Sequence, residues 1–177
     1  NFIHKELEDR NIRTDFHYGV YAEDKKCLVI EDSIAGVHAA KAAEMFGIDP
    51  NVAMLSFSTN GSADTEETQK VRKAVALAKE KNSGYNIDGE MQFDAAFVPS
   101  VGDKKFPGSS VAGKANTFIF PDLNSGNIGY KIAQRLGKFD AMGPILAGLN
   151  QPVNDLSRGC SAEDAYKTAI ITAAQSL

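Results

Sequence analysis

The run CLVIEDS (27–33) groups apolar residues ahead of two carboxylates, and AGVHAAKAAEMFG (35–47) then repeats alanines at helical spacing up to a glycine. This pattern predicts a strand followed by a helix. NVAMLSFST (51–59) is again strand-like. After the turn signal NGSAD, TEETQKVRKAVALAKEKN (65–82) predicts a helix, with acids first and bases last as the helix dipole favours. FDAAFVPSV (93–101) and ANTFIFPDL (115–123) predict two further strands, and NIGYKIAQRLG (127–137) a helix closed by Gly137. The last helix, SAEDAYKTAIITAAQSL (161–177), opens on Ser161 with a capping-box spacing to Asp164. Alternating strands and helices predict an α/β fold built on a layered, mainly parallel sheet, with a ligand site at the carboxyl ends of its strands. Neither an internal repeat nor a low-complexity tract is visible.

Composition narrows the class. The 177 residues are 43% hydrophobic and 24% charged, with 15 glycines and no tryptophan, the profile of an ordinary soluble α/β domain. A net charge of -4 offers no general attraction to nucleic acid or an anionic membrane. The opening NFIHKELEDRN is charged and lacks the apolar centre of a signal peptide, and no run reaches the length that spans a bilayer. Two cysteines, Cys27 and Cys160, have neither CxxC spacing nor neighbours that would complete a metal shell, so no metal site is expected and a reducing cytoplasm is the expected home.

Longer motifs add a family. FGIDPNVAMLSFSTNGSA, DGEMQFDAAFVP, PGSSVAGKANTFIFPDLNSGNIGYKIAQRL, GPILAGLNQPVNDLSRGCSAEDA and ITAAQ follow one another between Phe46 and the end of the chain. In these motifs the chain closely resembles phosphate acetyltransferase (phosphotransacetylase). The resemblance implies the isocitrate and isopropylmalate dehydrogenase fold, reversible acetyl transfer between acetyl-CoA and inorganic phosphate, and a cytoplasmic homodimer. It also implies coenzyme A and acetyl phosphate as substrates, with no permanently bound cofactor. Family members are longer at the N-terminus, so the chain is expected to be incomplete relative to the family. It divides near residue 45 into an N-terminal segment, 1–45, and the phosphotransacetylase-like region, 46–177. Within the first segment, CLVIEDSIAGVHAAKAAEM resembles the acidic strand end and following helix of haloacid-dehalogenase-type phosphatases. There Glu31 and Asp32 would help hold magnesium, but that family's nucleophilic aspartate motif is absent.

The stretch NDLSRGCSAEDA (154–165) carries the candidate chemistry. Resemblance assigns Asp164 as the base that takes the thiol proton, Ser157 as donor to the acyl oxygen, and Arg158 as the forked cation for phosphate. Burial in a cleft would raise the Asp164 pKa towards a useful range. Bland readings stand beside these: Asp164 as a helix cap, Ser157 as a turn residue, Arg158 paired with Asp155 or Glu163. A cation just before a helix start is at the wrong end of the dipole, which an anionic ligand would explain. Cys160 is read as a small packed residue. Ser58 and Thr59 in SFSTNGS could cradle an anion or close a capped turn, and the same choice holds for LNSGNIGYK, where Asn124, Asn127 and Lys131 are secondary substrate-binding candidates. Two other readings remain, a non-catalytic fragment or ligand-binding domain and a haloacid-dehalogenase-type phosphatase.

Overall fold

Val52, Ala53, Met54 and Leu55 are all buried, so the strand they form needs a covering layer on each side. In this computed structural model, which describes residues 15–21, 27–30, 40, 43, 44, 46–81, 84–147 and 149–176, that strand is central to a parallel sheet. The described strands are β1 (Asp15–Tyr21), β2 (Cys27–Ile30), β3 (Asn51–Leu55), β4 (Asn86–Met91), β5 (Thr117–Ile119) and β6 (Asp140–Ala147). Strand β3 lies between β4 and β5, parallel to both, with Val52 opposite Ile87 and Thr117. Its side chains alternate between two cores, as a pleated strand requires. Val52 and Met54 join Val71, Ala74, Val75 and Ala78 of helix α1 (Glu66–Glu80). Ala53 and Leu55 face the other way, towards Ala95, Ala96, Val111 and Phe118.

Helix α1 forms where the pattern places it. Val71, Ala74, Val75 and Ala78 recur at helical spacing, and a capping box between Thr65 and Thr68 satisfies two orphan groups at its start. At the amino ends of the three parallel strands, asparagines tie the ladder. Asn116 Oδ1 accepts the Asn51 N–H at 2.8 Å, and Asn86 Nδ2 donates to Asn51 Oδ1 at 2.6 Å. Strands β2, β1 and β6 form a second sheet, antiparallel throughout, with Tyr18 opposite Ile30 and His17 opposite Ile145.

One expected element is corrected, and three strands form where the sequence pattern gave no expectation. The expected α/β fold with a parallel sheet is present in β4-β3-β5, and β2, β1 and β6 add a second, antiparallel sheet. FDAAFVPSV is no strand but helices α2 (Phe93–Phe97) and α3 (Pro99–Lys105). Pro99 opens α3 in its first turn, where its missing N–H breaks no helical bond, and Phe93 stacks on Phe97 one turn away at 5.7 Å. The polar-looking NIDGEM is the strand β4. Its acids are buried but bonded: Asp88 accepts from Lys79 at 2.7 Å and Ser109 at 2.6 Å, and Glu90 from Ser58 Oγ and the Gly61 N–H, both at 2.9 Å. Strands β1 and β6 had no counterpart in the sequence pattern. Of the helix expected over 35–47, Ala40 and Ala43 are helical and buried in the α1-side core; Glu31, Asp32 and most of that segment lie outside the described residues. Among the described residues no helix is long and apolar enough to cross a membrane.

Helix α3 crosses the 112–113 backbone at a glycine. A Cβ on Gly102 would lie 2.5 Å from the Gly113 nitrogen and 2.8 Å from the Ala95 oxygen. Gly102→Ala therefore lowers stability by about 1–3 kcal/mol, the usual range for overpacking. Urea denaturation should show a lower midpoint with an unchanged slope; an unshifted midpoint would disprove the contact.

Candidate active site

Helix α4 (Leu123–Arg135) starts on a strong cap. Asp122 accepts the Ser125 N–H at 3.0 Å, and that backbone bond is the main reason its carboxyl is held below the ordinary carboxylate range. From there Asn127, Tyr130, Lys131, Gln134 and Arg135 recur at helical spacing and face one cleft of about 860 Å³. Met142, Gly143 and Pro144 of β6 line it as well, together with the turn 155–160 and the start of helix α5 (Ala162–Ala174). The turn is held locally: the Cys160 N–H donates to the Ser157 carbonyl at 3.0 Å and the Gly159 N–H to Ser157 Oγ at 3.3 Å.

Charge in the cleft is uneven. Lys131, Arg135, Arg158 and Lys167 face Asp155 and Asp164. Lys167 is committed, with Nζ 2.9 Å from Glu163 and 3.4 Å from Asp140, and the Glu163 bond is the chief cause of its raised pKa. Arg158 is exposed and makes no ion pair with any described residue, so pairing with Asp155 or Glu163 does not explain it. A guanidinium held at the amino end of α5 without a carboxylate suits an anionic ligand.

Asp164 departs from expectation. It is half-exposed, and its Oδ2 accepts the Ser161 N–H at 2.8 Å and Ser161 Oγ at 2.9 Å. Those bonds, the backbone one first, hold its carboxyl below the ordinary range instead of raising it. Burial is too slight to offset them. Cys160 is likewise exposed in the cleft wall and not packed inside.

Five sequence candidates therefore meet in one cleft: Ser157, Arg158, Asp164, Asn127 and Lys131. Three do not. Asn124 is exposed on the first turn of α4 away from the cleft lining. Ser58 and Thr59 are buried, with Ser58 Oγ donating to Glu90 and Thr59 Oγ1 accepting the Gln92 N–H at 2.9 Å. Every N–H from residue 58 to 63 is also used within that loop or by Glu90 and Ser56, which makes SFSTNGS a self-bonded turn whose backbone donors from 58 onward are spent. Arg135 and Lys167 are cleft residues the sequence reading missed. For Arg135 the signal was present, eight residues from Asn127 on the same stripe.

The family model described as phosphate acetyl/butaryl transferase matches residues 32–173. The chain belongs to this family. It is 65% identical over 141 residues to the phosphate acetyltransferase of Bacillus subtilis (strain 168), and 62% identical over 146 residues to that of Staphylococcus epidermidis, covering 80% of this chain in both cases. Among solved structures, it is similar to the EutD phosphotransacetylase of Staphylococcus aureus, with a TM-score of 0.86, 51% identity, and 93% of this chain and 55% of that one covered. A phosphotransacetylase from Streptococcus pyogenes gives the same TM-score at 55% identity, covering 92% of this chain and 54% of that one. The chain spans 44% of the length of the curated relatives it matches. The family match takes in most of the segment that resembles haloacid-dehalogenase-type phosphatases. Among the described residues no three His, Cys, Asp or Glu side chains are grouped to hold a metal.

Asp164 gives a pH test of the cap. A carboxyl whose folded pKa is depressed stabilises the fold above its unfolded pKa and loses that contribution as pH falls through the folded value. At neutral pH, Asp164→Ala lowers stability by about 1 kcal/mol, the usual scale of a lost cap. Thermal melts of parent and variant should converge below the ordinary carboxylate range. A gap that persists at low pH would remove the carboxylate as its cause.

Proposed function

We propose that this chain carries one wall of a site that transfers an acetyl group between coenzyme A and inorganic phosphate. The observation that carries the reading is Arg158, a guanidinium with no ion pair among the described residues, beside Ser157 and Asp164 in a cleft richer in cations than carboxylates. Membership of the transferase family supplies the reaction class. In the direction of acetyl phosphate synthesis, a phosphate oxygen attacks the thioester carbonyl, the C–S bond breaks, and the thiolate leaves and is protonated. Arg158 holds the phosphate, and Ser157 Oγ donates to the carbonyl oxygen as charge gathers there. In the reverse direction Asp164 accepts the proton of the coenzyme A thiol, whose thiolate then attacks acetyl phosphate. A filled cleft strips water from this half-exposed carboxylate and raises its pKa towards that task. Asn127 and Lys131 extend the polar wall along α4, and Ser58, Thr59 and Asn124, outside the cleft, take no part in it. Coenzyme A and phosphate enter as substrates and no resident cofactor takes part.

The reading includes a cytoplasmic homodimer. A reducing compartment keeps the exposed Cys160 thiol free. Beside its polar stripe, α4 and its C-cap expose Ile128 at 58%, Ile132 at 53% and Leu136 at 79%, one apolar row at helical spacing that a second copy would cover.

Thiol release from acetyl-CoA on adding phosphate tests the transferase. Asp164→Asn retains phosphate binding and lowers turnover by about 10²-fold or more, the scale of a lost general base. Arg158→Ala weakens phosphate binding, and Ser157→Ala falls between the two. Thiol release that is equal in all three variants and the parent would sink the assignment. Phosphate binding without turnover in the parent would mark the chain as a binding wall alone.

Self-association has its own test. Sedimentation at micromolar concentration should show a dimer that Ile132→Glu converts to monomer. A monomeric parent would end the homodimer reading.

A further inference from the structure

The turn that carries Ser157 and Arg158 is anchored three residues upstream. Asn154 is half-buried, and its side chain spends both donor hydrogens and an acceptor on fixed partners. Oδ1 accepts the Leu146 N–H at 2.7 Å. Nδ2 donates to Thr172 Oγ1 at 2.8 Å and to Gln175 Oε1 at 2.6 Å. Gln175 Nε2 then donates to the Leu146 carbonyl at 3.2 Å and closes a ring of side chains around one peptide unit. Leu146 is only 4% exposed, so its N–H and C=O need these partners.

None of Asn154, Thr172 and Gln175 lines the cleft, yet the three segments they join all do. Strand β6 contributes Met142 to Pro144, the turn contributes Ser157 and Arg158, and α5 contributes Asp164 and Lys167. Between Asn154 and Ser157 the chain has two residues in which to drift. The Ser157 and Arg158 side chains are exposed, and the bonds that Ser157 accepts from Gly159 and Cys160 stay within the turn.

We infer that Asn154 is a positioning residue for the acetyl-transfer cleft: its amide sets where the Ser157–Arg158 turn stands relative to β6 and α5. The inference rests on the proposed function for the identity of the ligand and on geometry alone for the placement of the turn.

Cys160 is exposed in the same turn and reports on it. In a Cys27→Ser background it is the remaining thiol, and its rate of reaction with a disulfide reagent can be followed with and without inorganic phosphate. Well below the melting temperature, Asn154→Ala should change that rate several-fold and raise the phosphate concentration for half-protection about tenfold or more, as misplaced binding groups do. Asn154→Asp keeps the acceptor for Leu146 but loses both donors, and should fall between. An Asn154→Ala protein that melts lower while both thiol readouts match the parent would show a purely stabilising residue and overturn the inference. Should that variant not fold, Gln175→Ala opens the same ring while leaving Asn154 on Leu146, and the same two readouts decide. If phosphate gives no protection in the parent, the phosphate reading of the cleft fails, and the labelling rate alone still decides the placement.

Discussion

Strand β3 is buried on both faces, and most of the architecture follows from that constraint. A strand with no wet side needs a neighbour on each edge for its backbone and an apolar layer on each face for its side chains. Parallel partners β4 and β5 supply the edges, α1 covers Val52 and Met54, and α2 with the 111–118 segment covers Ala53 and Leu55. The same burial explains why the polar groups of β4 are so fully bonded. Asp88 and Glu90 enter the interior only because Lys79, Ser109, Ser58 and the Gly61 N–H meet them there. Ser58 and Thr59 thus belong to the support of the sheet, and their hydroxyls are unavailable to a ligand.

The cleft is built differently. Its walls are helix surfaces, a stretch of β6 and an exposed turn, so most of its side chains are wet, and what it offers is chiefly charge. Helix α5 is central because its first turn serves two purposes. Ser161 and Asp164 close a capping box, while Arg158 stands just outside the helix with no carboxylate partner among the described residues. Under the proposed function, capping and proton transfer would compete for one carboxylate. Bonds from Ser161 favour the ionised form and make Asp164 a weak base in the open cleft, whereas exclusion of water by a ligand pushes the other way.

Much of this was legible along the chain. Helices α1, α4 and α5 follow from apolar spacing and cap residues, and the Ser161–Asp164 box was visible as a spacing of three. Local signals suffice there because a helix satisfies its own backbone. Grouping of Ser157, Arg158 and Asp164 was equally local, since eight residues hold them.

What only the tertiary structure decided is where distant segments meet. FDAAFVPSV has the composition of a strand, but Phe93 and Phe97 pack one turn apart on Phe118, and that contact selects helix. NIDGEM has the composition of a loop, but partners up to 32 residues away neutralise its burial and make it a strand. Strand β6 pairs with β1 across more than a hundred residues, a choice no short window contains. Arg135 and Lys167 reach the cleft for the same reason: each sits on a helix whose sequence says which residues share a face, and only the packing of α4 and α5 on β6 says what that face meets. Sequence periodicity determined the faces because it is a property of neighbouring residues. The sheet pairing and the cleft depend on contacts between segments far apart in the chain, and these exist only once it has folded.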